Sequence, residues 1–143
     1  MLIKQISVFI ENKPGRLAAV SKILKENKVN LHALSIADTH DFGILRLIAD
    51  EPEKAAAALK AADCTVTLTD VVAVEIEDNP GALADVVDIL YQDGIDIEYM
   101  YAFISHSPKH ATVILRVSDN TKATEVFAKS NIRLVEANEV YKS

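Results

Sequence analysis

The 143-residue chain is poor in cysteine, glycine and proline, and it carries no long apolar run. Its one cysteine, Cys64, has no second thiol with which to close an intramolecular disulfide and cannot build a thiolate metal site alone. It reads as a small buried side chain at the end of a helix. Four glycines and four prolines leave no room for a flexible linker or a low-complexity tract. No apolar stretch approaches the roughly 18 residues needed to span a bilayer. The opening Met1-Leu2-Ile3-Lys4-Gln5-Ile6 alternates like a strand rather than leading into a signal peptide, so a cytoplasmic location is expected. Basic residues are outnumbered, 15 Lys and Arg against 21 Asp and Glu, for a formal charge of −6. That balance argues against nucleic acid, whose phosphates need clustered Lys and Arg, and against an anionic membrane surface.

What the chain does have is enough apolar sequence for a core, half of its residues, arranged as a repeat. The segment from Glu11 to Leu24 aligns without a gap on the segment from Glu77 to Leu90, an offset of 66. Glu11, Pro14, Gly15, Leu17, Ala18, Val20, Ile23 and Leu24 are matched identically by Glu77, Pro80, Gly81, Leu83, Ala84, Val86, Ile89 and Leu90. Upstream, Ile6, Val8 and Ile10 match Val72, Val74 and Ile76, and downstream Val29-Asn30-Leu31 matches Ile95-Asp96-Ile97. Two modules are expected, residues 1–70 and 71–143, with no linker between them.

Each module carries the same order of elements. Residues 2–10 alternate as a half-buried strand with Ile6, Val8 and Ile10 on one face. Pro14-Gly15 then opens a helix to about Lys28, with proline in its first turn and Leu17, Val20, Ile23 and Leu24 as its buried stripe. A hairpin pairs strands near 30–38 and 44–49 through Thr39-His40-Asp41. Asp50 with Glu53 reads as a capping box for an alanine-rich helix over 53–62, and residues 65–69 supply the last strand. The second module repeats this with strand 71–77, helix 81–93, strands 95–104 and 111–118, helix 120–130 and strand 132–138. The order βαββαβ predicts an α+β fold, two ferredoxin-like modules in tandem, each an antiparallel sheet with both helices on one face.

The chemistry-bearing feature is the loop Glu11-Asn12-Lys13-Pro14-Gly15-Arg16-Leu17 and its twin Glu77-Asp78-Asn79-Pro80-Gly81-Ala82-Leu83. A helix start presents unpaired N–H groups and the positive end of the macrodipole, which suits a carboxylate. With proline offering no N–H, the first donors are those of Gly15, Arg16 and Leu17, and in the second copy those of Gly81, Ala82 and Leu83. A small ligand of few atoms held this way implies micromolar to millimolar affinity. Such a loop also serves in many proteins purely to turn the chain.

A strand followed by an acidic or amide residue and then Pro-Gly-x-Leu-Ala at a helix start resembles the ACT domain, a family of amino-acid-sensing regulatory modules with this fold. The resemblance covers nearly the whole chain twice. It implies a non-catalytic regulator that binds a free amino acid and needs no cofactor, with a homodimer or a regulated enzyme as partner. In that family the ligand usually lies between modules, the first-helix loop of one facing the second strand of its neighbour. Carried over, this nominates Asn12, Lys13, Pro14, Gly15, Arg16 and Leu17 with Tyr101, Ala102, Phe103 and Ile104. The mirrored set is Asp78, Asn79, Pro80, Gly81, Ala82 and Leu83 with Ser35, Ala37 and Asp38. The copies differ in charge, Lys13 and Arg16 against Asn79 and Ala82, so they are not expected to be equivalent sites.

Two other function classes stay open. The Pro-Gly loops of a protein–protein interaction module would be structural only, and a small enzyme could use the same scaffold. Against catalysis, the sequence offers no Ser-His-Asp spacing, no glycine-rich phosphate loop and no HExxH. His106 and His110 are spaced for zinc only on a helix, and a hairpin containing Pro108 is not one, so no metal is expected. Tyr99, Tyr101 and Phe103 alternate as a ligand wall, a dimer face or ordinary sheet packing. The basic first helix (Arg16, Lys22, Lys25, Lys28) and its acidic counterpart (Asp85, Asp88, Asp93) are either two solvated faces or complementary surfaces.

Overall fold

Strand alternation hands over to helical spacing twice in each repeat, and the backbone follows. The computed structural model describes residues 2–11, 13–38, 41–103 and 109–142, without the side chains of residues 38 and 142. The elements are β1 (Ile3–Glu11), α1 (Arg16–Glu26), β2 (Leu31–Asp38), β3 (Phe42–Ala49), α2 (Pro52–Ala61), β4 (Thr65–Glu77), α3 (Ala82–Gln92), β5 (Ile97–Ala102), β6 (His110–Val117), α4 (Asn120–Lys129), β7 (Arg133–Leu134) and α5 (Ala137–Lys142). None of these helices is long and apolar enough to cross a membrane. Two compact units emerge: Lys4–Thr69 with Val140–Ser143, here the N-terminal module, and Met1–Ile3 with Asp70–Glu139, the C-terminal module.

Each module is a ferredoxin-like βαββαβ unit. In the first, strands run in the order β2-β3-β1-β4; in the second, β5-β6-β4-β7. The hairpin pairings are antiparallel, with Val8 opposite Leu45 and Ile36 opposite Leu45 in the N-terminal module. In the C-terminal module Val74 lies opposite Val113, and Met100 opposite Leu115. Because strand side chains alternate, Ile6, Val8, Leu45 and Leu47 share one face and pack on Val20 and Leu24 of α1 and Ala55, Ala56 and Leu59 of α2. The second core repeats this with Val72, Val74, Val113 and Leu115 against Val86 and Leu90 of α3 and Ala123 and Phe127 of α4. Both helices therefore cover the same sheet face in each module.

All four of these helices end the same way. Lys28, Asp63, Gly94 and Asn131 adopt the left-handed conformation one residue past the cap. The next N–H reaches back to a core carbonyl: Val29 to Leu24, Cys64 to Leu59, Ile95 to Leu90 and Ile132 to Phe127. This is the Schellman arrangement, and its apolar pairs pin each helix end to the core. It also explains Cys64, which is free, half-buried and packed at the edge of the first core.

Several sequence expectations are corrected. Leu17 faces solvent, 45% exposed, instead of joining the α1 stripe, and Leu83 repeats it in α3. The capping box does not form: the N-cap of α2 is Glu51, with Pro52 in the first turn, and Asp50 Oδ1 accepts from the Asn30 N–H at 3.1 Å, tying down the start of β2. The strands expected over 65–69 and 71–77 are one continuous strand, β4. The strand expected over 132–138 stops at Leu134 and gives way to α5, because the Glu139 carboxylate reaches back to accept from the Glu136 N–H at 2.8 Å and closes the first helical turn. Thr39 and His40 of the first hairpin turn, and His106 of the second, lie outside the described residues.

Core and surface make opposite predictions for similar side chains. Phe127→Ala, at a fully buried position, should destabilise the protein by about 3–5 kcal/mol in chemical denaturation, whereas Leu17→Ala should stay within about 0.5 kcal/mol of the parent.

Candidate functional site

The strand-to-helix loop is a tight turn rather than a helical first turn. Gly15 has φ 85° and ψ −8°, and the Arg16 N–H donates to the Lys13 carbonyl at 3.3 Å. Gly81 has φ 93° and ψ −16°, and the Ala82 N–H donates to the Asn79 carbonyl at 3.4 Å. Proline at the second position and a left-handed glycine at the third define a type II turn. Pro14 and Pro80 thus precede their helices instead of sitting inside them, and each helix begins only after its glycine. Space around both glycines is open, so what requires glycine is the positive φ and not a steric clash.

This geometry alters which amides are offered. The Arg16 and Ala82 N–H groups are turned back into the turn. The first helical bond is Ala19 N–H to the Gly15 carbonyl at 2.9 Å, and no side chain caps either α1 or α3. The next amides along, Leu17 and Ala18 and in the second copy Leu83 and Ala84, have no intrahelical acceptor and face the exposed end of the helix.

Charge is organised around the glutamate that closes the first strand of each module. Glu11 accepts from Lys13 Nζ at 2.8 Å, with Arg16 Nη2 at 3.8 Å. The hydrogen bond and charge of Lys13, with Arg16 behind, hold the Glu11 carboxyl below the ordinary glutamate range. In the second copy Glu77 instead accepts from Asn79 Nδ2 at 2.8 Å, and the Asp78 N–H donates to the Lys109 carbonyl.

Next to each turn lies an open groove between the helix start, the end of the first strand and the turn that follows the module's second helix. In the N-terminal module it has a volume of about 500 Å³ and is lined by Phe9, Ile10, Glu11, Arg16, Ala19, Val20, Ile23 and Phe42 with Ala62–Thr65. Its counterpart in the C-terminal module is about 430 Å³, lined by Glu75, Ile76, Glu77, Asn79, Ala82, Asp85, Val86 and His110 with residues 131–133. Sequence reasoning missed the groove because its walls come from four segments distant in the chain. The signal that was available is the offset itself, which sets Phe9 against Glu75 and Ala19 against Asp85. In the second groove Arg133 bonds both Glu75 and Glu139, and His110 Nδ1 lies 3.6 Å from Glu75 Oε1. The backbone N–H of Glu136, with the Arg133 guanidinium adding to it, lowers the Glu139 carboxyl below its ordinary range.

Of the nominated strand residues, Ser35 and Ala37 pair with Arg46 and Ile44, so they lie on the sheet face away from the helices. Tyr101 pairs with Ile114 on the corresponding face of the second module, and Tyr99 with Arg116. The aromatic alternation is therefore not part of the helix-covered core. Ala102, next in β5, is exposed, and the Phe103 N–H donates to Thr112 just beyond the strand. The end of β2 at Asp38 reaches the same end of the sheet as the Pro-Gly turn, since Asp38 pairs with Gly43 and Gly43 with Ile10. Asn12, Ile104 and the Asp38 side chain lie outside the described residues. Among those described, no cluster of three or more His, Cys, Asp or Glu could hold a metal ion.

The carboxylate at the turn gives a titration test. A folded pKa below the unfolded value means that the Glu11 contribution is present above the unfolded pKa and is lost as pH falls through the folded one. Carboxyl-detected NMR should place the Glu11 midpoint below that of an ordinary glutamate, and Lys13→Ala should move it upward. An unchanged midpoint would mean that Lys13 does not organise the loop.

The sequence model of the ACT domain pair matches residues 1–143. Among solved structures, a protein from Bacteroides thetaiotaomicron is 43% identical, superimposes with a TM-score of 0.93 and aligns over 100% of this chain and 98% of its own. The regulatory subunit of aspartate kinase from Thermus thermophilus, in a ligand-free form, is 20% identical with a TM-score of 0.67, over 90% of this chain and 93% of its own. The corresponding subunit from Thermus flavus gives 18% and 0.62, over 90% and 92%. No curated protein matches the sequence. On a match that spans its full length, the chain belongs to the ACT domain pair family.

Proposed function

We propose that this protein is a non-catalytic regulator that binds a free amino acid at the strand-to-helix turn of one or both modules. The observation that carries this reading is the pair of type II turns whose left-handed glycines leave the starts of α1 and α3 without a side-chain cap, each beside an open groove. An anion is the ligand such amides suit best. The paired charges of Glu11 and Arg16 provide the opposite signs that a zwitterion requires. Family membership supports the same reading, and the aspartate kinase regulatory subunits share the fold.

In this reading the ligand is held by Lys13, Gly15, Arg16 and Leu17, or by Asn79, Gly81, Ala82 and Leu83. The resemblance adds a complementary wall from the second strand of a neighbouring module, drawn from Ser35, Ala37 and Asp38 or from Tyr101 to Ile104. Regulation follows if the ligand binds two states of the assembly with different affinity. A thermal-shift screen of the free amino acids tests this. A cognate ligand at 100 times its Kd stabilises by about 2.7 kcal/mol, roughly 5–10 °C in a chain of this size. A melting curve unmoved by every amino acid at millimolar concentration would reject it.

The assembly is proposed to be a homodimer, on a separate observation. Leu83, Val87 and Tyr91 recur at i, i+4 and i+8 on α3 and are all exposed, Tyr91 by 77%. Asp85 and Asp88 flank this stripe, while α1 carries the exposed Lys22 and Lys25, so a second copy of the chain offers the matching charge. Val87→Asp should shift sedimentation toward the monomer without lowering helicity; an unchanged mass would exclude α3 from the contact.

A further inference from the structure

The two modules diverge again at the start of their second helices. Ala55 and Leu59 of α2 hold the core positions that Ala123 and Phe127 hold in α4, 68 residues on. On that alignment Pro52 and Ala56, both buried, become Asn120 and Thr124. Apolar packing is thus exchanged for an amide and a hydroxyl. In the C-terminal module these two residues line a cavity of about 200 Å³, separate from the groove beside the Pro80-Gly81 turn. Leu2, Val72, Leu134 and Val135 supply its apolar walls, and among the described residues no ionisable side chain lines it. The space exists because β7 is only two residues long, so the gap between β4 and α4 is not closed past Leu134.

The protein itself does not satisfy the polar groups placed there. Asn120 Oδ1 is buried without a hydrogen-bond partner. Asn120 Nδ2 reaches the Asp70 carbonyl at 3.4 Å, an oxygen that already accepts from Arg116 Nη1 at 3.0 Å. Thr124 Oγ1 donates to the Thr121 carbonyl at 2.8 Å, which spends its proton and leaves it an acceptor. A buried acceptor without a donor costs stability, and the N-terminal module avoids that cost with Pro52 and Ala56. The Asn120 oxygen therefore calls for an N–H or O–H from outside the chain. Because one long contact is all that holds the amide, a small rotation presents that oxygen to the cavity.

We propose that this cavity binds a neutral molecule about the size of one aromatic ring that carries a hydroxyl or an amide N–H. Asn120 and Thr124 accept from its donor, and Leu2, Val72 and Leu134 cover its hydrocarbon. The size follows from the volume, since an apolar cavity of about 150 Å³ is enough to hold benzene. Neutrality follows from the lining, because an ion brought there would lose its hydration and gain no counter-charge. That requirement excludes a zwitterionic amino acid. Measured along β4, Val72 and Ala73 lie about 15 Å before the strand end at Glu77, where the Pro-Gly turn begins. The cavity is thus a second site, independent of the amino-acid-binding reading above.

Amide-resolved NMR titration of the full chain with phenol, benzamide, anisole and benzoate tests it. Asn120→Leu and Thr124→Val, both close in shape to the parent residues, serve as variants, and melting curves check that each folds. Expected are saturating shifts at Ala73, Thr121, Thr124 and Val135 with phenol or benzamide. Anisole, which has no donor, and benzoate, which is charged, should bind at least fivefold more weakly. Asn120→Leu should weaken phenol at least fivefold and leave anisole within twofold of its parent value, a split that mere distortion of the cavity would not produce. Absence of saturable binding to the parent chain at millimolar concentration would leave the cavity to water and overturn the proposal. Anisole binding within twofold of phenol, shifts centred on Gly81 and Leu83, or phenol affinity unchanged in both variants would overturn it as well.

Discussion

The left-handed glycine at the end of the first strand of each module is the constraint on which the site depends. At φ 85° and 93°, Gly15 and Gly81 hold conformations that cost an ordinary L-residue roughly 1–2 kcal/mol, and the preceding proline has its own φ preset for the turn. The chain reverses within four residues, so the helix starts without a residue free to cap it. Ser, Thr, Asp or Asn at that point would satisfy the terminal amides internally. α4 shows the contrast within the same protein: Asp119 caps its start by accepting from the Lys122 N–H at 3.0 Å. The helices that begin at Pro-Gly turns are left open, whereas α4 is closed by its own side chain.

Around those turns the fold is conservative. Each sheet has one face covered by two helices, and the helices are locked at their far ends by backbone bonds into core carbonyls. Burying the C-terminal ends of the helices and exposing the N-terminal ends of α1 and α3 places rigidity and chemistry at opposite ends of the same elements. A binding surface carried on a packed scaffold keeps its shape when empty, which limits the ordering cost that a ligand of few atoms must overcome.

Duplication has kept the frame and changed the lining. The repeat preserves the glutamate, the Pro-Gly pair and the core positions, and varies the residues that face the groove. One copy became apolar with an arginine at the helix start; the other became a network of Arg133, Glu75, Glu139 and His110. Surface ion pairs of this kind contribute little to stability.

Much of this was legible in the residue order. Strand alternation, the 3.6-residue spacing of Val20, Ile23 and Leu24, and the exact offset of the repeat gave both ferredoxin-like modules, because periodicity of apolar residues is a local property that survives without coordinates. The Pro-Gly pair announced a turn at a helix start, also a local matter. The type II geometry, the exposure of Leu17 and Leu83, the failure of Asp50 to cap α2 and the appearance of α5 could not be read that way. Each depends on which competing partner a group finds in three dimensions: Asp50 is taken by Asn30, and Glu139 closes on Glu136 before the strand can continue. The groove is the clearest case. Sequence alone determined that Ile10 and Ile23 are apolar and that Arg16 is charged, but only the packing of α1 over the end of β1 brought these residues to the lining of one groove.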